Sequence, residues 1–109
     1  MANTFKLKTK ANVGVTTVGI YTAPAATTTV VIGITLANTS GSGVNVGVGI
    51  TRAGATEDVK LLKNAPIPQG SSLEFMAGNK VVLEATDTLT VDSDVNNSVD
   101  TALTIMEIT

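Results

Sequence analysis

Two neighbouring stretches limit the possible folds most severely. In "TVVIGITLAN", Val30, Ile32, Ile34 and Leu36 fall on one face, and Val31, Gly33, Thr35 and Ala37 on the other. In "GVNVGVGITR", Val44, Val46, Val48 and Ile50 alternate with Asn45, Gly47, Gly49 and Thr51. A repeat of two is the signature of a half-buried strand, because successive side chains of a strand point to opposite faces. Between them lies "NTSGSG", a run of turn formers that predicts a hairpin joining the two strands.

The remaining chain repeats the theme in shorter pieces. "FKLKTK" sets Phe5, Leu7 and Thr9 against Lys6, Lys8 and Lys10. "VTTVGIY", "LEFMA", "KVVLEA", "DTLTVDS" and "DTALTIMEIT" read as further strands, with "TAPAA" and "GN" as turns. "TEDVKLLKN" has a capping residue, Thr56, but flanking Gly and Pro leave it barely two turns, so a strand is expected there too. The two prolines of "APIPQGSS" are expected to break any regular element. The fold class that follows is all-β: a single-domain antiparallel β-sandwich, jelly-roll-like, with about eight short strands, or nine. Residues 1–12 are expected as an N-terminal arm or edge strand, and 13–109 as the β-sandwich domain. Its interior is expected to be Val, Ile, Leu and Ala around three aromatic rings, Phe5, Tyr21 and Phe75.

Composition narrows function mainly by exclusion. With 109 residues there is room for one core. Only 15% of residues are charged, against about 25% in an ordinary domain, so Thr, Ser, Asn and Gly coat the surface. Such a surface does little to keep copies apart. The net charge of −2 provides no field for nucleic acid, and stacking rings and a basic groove are lacking. The longest apolar run, Val30 to Ile34, is far too short for a membrane span. Cys and His are both absent, which removes disulfides, thiolate and imidazole metal ligands and the usual bases for a serine nucleophile. No enzyme and no cofactor are expected.

Four candidate sites remain. The glycines of "GSGVNVGVG" lack the following helix that a phosphate loop needs, so they are expected to mark a bulge or a close backbone approach. In "DSDVNNSVD", the alternating oxygens of Asp92, Asp94, Asn96 and Asp100 are a candidate Ca²⁺ loop. Asn97 stands where that loop requires Gly and Leu103 where it requires Glu, so a polar loop between strands is the preferred reading. The carboxylate pairs Glu57–Asp58 and Glu84–Asp87 are expected to be solvated turn residues. Lys6, Lys8 and Lys10 are the candidate interaction residues, facing an acidic partner or forming the wet face of an edge strand.

The segments "VGIYTAPAATTTVVIGITLANTSGSGVNVGVGITRAG", "LLKNAPIPQGSSLEF", "GNKVVLEATDTLTV" and "ALTIMEIT" resemble a group of small virion proteins of tailed bacteriophages, over nearly the whole chain from Val13 to Ile108. The resemblance implies a structural component of a phage particle, made in the host cytoplasm and resident in the virion. Within it, a head decoration (cement) protein is expected, oligomerising as a trimer and bridging subunits of the major capsid protein. The alternatives are a neck, tail or fibre-base adaptor, and a free β-sandwich module for a host-surface ligand.

Overall fold

The computed structural model describes residues 3–52, 58–75 and 80–109. Among them are nine strands and no helix: β1 (Asn3–Val13), β2 (Val18–Thr22), β3 (Thr28–Asn38), β4 (Val44–Thr51), β5 (Asp58–Ile67), β6 (Ser72–Phe75), β7 (Val81–Leu83), β8 (Thr88–Ser93) and β9 (Val99–Ile108). They form two antiparallel sheets. The first has the order β1-β9-β3-β6, with β7 also paired to β3; the second has the order β2-β8-β4-β5. The all-β sandwich expected from alternation is what forms.

The hairpin expected at "NTSGSG" does not form. β3 belongs to the first sheet and β4 to the second, so residues 39–43 carry the chain across the core. Every connection except β4–β5 and β6–β7 makes such a crossing. Alternation reveals which side of a strand is apolar but not whether the next strand lies beside it or opposite it. What turns the chain here is Asn38. Its amide donates to the carbonyls of Ser42 (2.8 Å) and Ile67 (3.0 Å), and its Oδ1 accepts from the Ser40 N–H and hydroxyl. One buried side chain thus ties together the end of β3, the crossing loop and the end of β5.

The core is aliphatic. Val31, Ile34 and Leu36 of β3 face Val44, Val46, Val48 and Ile50 of β4, closed off by Leu89, Val91, Val99, Leu103 and Ile105. The β4 phase is the one read from the sequence. The β3 phase is not: Val31, not Val30 or Ile32, joins Ile34 and Leu36, because the pairing with β9 slips between Val31 and Gly33. One extra residue at that bulge keeps both halves of the strand apolar-inward. Tyr21 is buried, whereas Phe5 lies on the outside at 70% exposure, which corrects its expected place in the core.

The described part of "TEDVKLLKN" is extended as expected; Thr56 and Glu57 lie outside the described residues. β5 also runs through Pro66 to Ile67, against the expectation that proline would end it. β5 is an edge strand, where a missing N–H costs no ladder bond. The break comes after it: the Ser71 N–H donates to the Pro68 carbonyl around Gly70, whose φ of 74° suits the third position of that turn. Asn38→Asp keeps the size of the side chain at the crossing but aims an anion at two carbonyls. It is expected to lower unfolding free energy by at least about 2 kcal/mol, measured by urea denaturation.

Candidate functional site

β1 pairs with β9 so that Lys6 sits opposite Ile105 and Lys8 opposite Leu103. Both partners point into the core, so the lysines lie on the inner side of the first sheet, at the rim of the sandwich. The reason lies one residue pair further along. Glu107 also faces inward, almost fully buried, and takes Lys6 Nζ at 2.8 Å on one oxygen. Its other oxygen accepts the Tyr21 hydroxyl at 2.5 Å from β2 of the opposite sheet. Tyr21 Oη also lies 2.8 Å from Thr29 Oγ1, and Lys8 Nζ stands 6.0 Å from the centre of the tyrosine ring. The open edge between the sheets is therefore closed by a polar cluster rather than by packing.

The electrostatics follow from that cluster. The Lys6 ammonium, and then the Tyr21 hydroxyl, hold Glu107 below the usual carboxylate range. Burial, reinforced by the bond to Glu107, pushes Tyr21 up to about 12. The arrangement holds a fixed carboxylate and a neutral phenol.

With the lysines turned inward, the apolar side of β1 looks outward, and the outer face of the first sheet has a consistent grain. At one end lie Phe5 and Leu7 of β1, 70% and 65% exposed, beside half-buried Met106 and Ile108 of β9, Val30 of β3 and Val82 of β7, itself 55% exposed. At the other end the bulk gives way to Thr9 and Ala11, Ala102, Thr35 and Ala37, and Ser72, with Asp100 and Glu74 among them. The small residues of β1, β9 and β3 line a shallow hollow of about 310 Å³, together with Lys10, Asp100 and Thr101. The face was missed in the sequence. The signal that locates it is Glu107, an acid in phase with Leu103 and Ile105, which requires a cation from the neighbouring strand.

The four oxygens of the candidate Ca²⁺ loop go separate ways. Asp92 accepts from the Thr17 hydroxyl and has Lys60 Nζ at 3.8 Å. Asp94 accepts the Asn45 N–H, Asn96 the Val15 N–H and Asp100 the Asn12 N–H. Asp94 fastens the loop to β4, and the other three fasten it to the end of β1 and the β1–β2 connection. Among the described residues no three acidic side chains gather. Gly47 lies at the irregularity between Val46 and Val48, where a Cβ would meet the Asp92 side chain at 2.5 Å, and the close backbone approach is at Gly49, where a Cβ would stand 3.0 Å from the Val59 carbonyl. Asp87, expected to be solvated, is buried instead. It lies 3.0 Å from Arg52 Nε, while Arg52 Nη2 reaches Glu84 at 2.9 Å. Glu57 lies outside the described residues.

No protein-family model matches the chain, and no curated protein matches its sequence. Solved structures do. A chain of the disulfide-linked pili of Bacillus endospore appendages aligns with a TM-score of 0.57 at 16% identity, over 99% of this chain and 87% of that one. A chain from the acid-stable capsid of Helicobacter pylori bacteriophage KHP30 aligns with a TM-score of 0.57 at 11% identity, over 98% and 87%. A chain of infectious bursal disease virus (Gx strain) reaches 0.50 at 14% identity, over 96% of this chain but 28% of its own length. At these identities the likeness is one of fold.

Two measurements check the site. Glu107, lowered in the folded state, supports the fold above the ordinary carboxylate range and loses that support as pH falls through its depressed value. Tyr21, raised in the folded state, contributes below about pH 10 and is lost as pH rises through about 12. Urea midpoints are therefore expected to fall at both extremes, with a weaker acid-side loss in Lys6→Met. Tyr21→Phe, which leaves the buried Glu107 carboxylate without a donor and the Thr29 hydroxyl without its acceptor, is expected to cost about 1–3 kcal/mol near pH 7. Adding Ca²⁺ or a chelator is expected to leave the melting temperature unchanged, since a ligand bound only by the native state would raise it.

Proposed function

We propose that this chain is a structural protein of a bacteriophage particle, a capsid decoration (cement) protein that self-associates and bridges major capsid subunits. The observation that carries the reading is the agreement between two independent likenesses. The sequence resembles small virion proteins from Val13 to Ile108, and the sandwich aligns over 98% of its length with a chain from a phage capsid. The surface is suited to such work. Covering Thr, Ala and Gly with a partner costs little, whereas burying unpaired charge costs a great deal. Many weak copies on one lattice then hold together through multivalency. In this reading the chain is made in the host cytoplasm, resides in the virion and carries out no catalysis.

The decoration role is separated from a neck, tail or fibre-base adaptor by stoichiometry. Quantitative mass spectrometry of purified particles is expected to find copies in proportion to the major capsid protein. A count matching a single ring would move the protein to the neck or tail, and its absence from particles would end the proposal.

A further inference from the structure

We infer that the outer face of the first sheet binds a second copy of this chain about a two-fold axis. The face fits itself. Its bulky side chains lie at one end of every strand and its small ones at the other, and a two-fold axis lying in the face, across the strands, exchanges the ends. With the axis passing over Lys8, Leu103 and Ile34, which lie in register, Phe5 of one copy rests over Ala11 of the other and Leu7 over Thr9. By the same operation Val30 lies over Ala37, Thr104 over Ala102, Met106 over the Asp100–Asn12 contact and Val82 over Ser72. The Phe5–Leu7 ridge thus enters the other copy's hollow of about 310 Å³. This is an isologous contact, each patch meeting its own complement.

Area favours this occupant, and the face carries little charge. β1, β9 and β3 run for 11, 10 and 11 residues. At about 3.4 Å per residue and about 4.8 Å per strand, these with β6 and β7, of 4 and 3 residues, project about 640 Å², somewhat below the ~800 Å² per partner of a standard interface. Among the described residues its charges are Asp100 and Glu74, and Lys10 joins Asp100 in lining the hollow. The exchange of ends sets the two Asp100 side chains at opposite ends of the contact, while Glu74, one residue from the axis, stands about 7 Å along the strand from its own copy. An axis along the strands would instead stack ridge on ridge and leave the hollows facing each other unfilled. The two-fold contact takes the place of the trimer expected from the sequence, and it does not depend on the virion reading.

The test is sedimentation equilibrium of the full purified chain. Wild type is expected at twice its 11.1 kDa mass. Leu7→Glu, at a 65% exposed position that the fold tolerates, is expected to raise the dimer dissociation constant at least about tenfold by burying an unpaired charge. Thr9→Lys is expected to do the same. The double variant is expected to recover the dimer, because the two introduced charges face each other across the axis. Circular dichroism verifies that each variant keeps its sheet. A wild-type monomer at about 100 µM, a trimer, a dimer indifferent to Leu7→Glu, or a double variant that stays dissociated would each overturn the inference. A monomer present on particles defeats this contact alone, and a dimer absent from particles defeats the virion reading alone.

Discussion

Two apolar sheet faces must meet across one layer of aliphatic side chains, and every other feature of the molecule accommodates that contact. Each fully buried Val, Leu or Ile is worth about 1.5–3 kcal/mol, whereas a net hydrogen bond is worth about 1. Packing therefore decides strand phase, and the ladder yields where the two conflict. β3 slips by one residue between Val31 and Gly33, β1 between Lys10 and Val13, and β5 is irregular where it passes Val46 and Val48. Two of these slips pass through asparagines with positive φ, Asn12 at 60° and Asn64 at 55°, a backbone region that Asn tolerates better than most residues. Crossing loops bear the same burden, since a chain that changes sheets so often needs fixed turning points such as Asn38.

How much of this was legible depends on the range of the interaction concerned. β4 was read correctly to the residue because its alternation is unbroken from Val44 to Ile50. β3 was read correctly as a strand and wrongly in phase, because a bulge is set by the neighbour's register and leaves no mark in a run as uniform as "VVIGI". The β3–β4 hairpin failed for a related reason: turn residues close a tight pair and an inter-sheet crossing equally well. Pro66 misled because its tolerance depends on lying at an edge, a property of the sheet and not of the strand.

The site was less legible than the fold. The loop from Asp92 to Asp100 displays its oxygens in sequence, but their partners, Thr17, Asn45, Val15 and Asn12, come from distant segments. The burial of Asp87 depends on Arg52, 35 residues earlier. The lysines of β1 were seen as a row, and only the position of Glu107 on the adjacent strand reveals which way that row faces.

That orientation links the interior of the molecule to its exterior. Moving β1 by one residue would send Phe5 and Leu7 inward and all three lysines outward, since a strand presents alternate residues to alternate faces. Burying the two apolar side chains would be worth about 1.5–3 kcal/mol each. The observed register forgoes that gain and gives Glu107 its cation, because an acid buried against Ile105 and Leu103 without one is the worse outcome. Inward-pointing charges also blunt an edge strand against uncontrolled pairing. One acid in β9 thus settles three matters together: the register of β1, the protection of its edge, and the presence of an apolar ridge on the outer face. The burial forgone within one chain is then available between two, where the ridge meets a hollow lined by β1, β9 and β3.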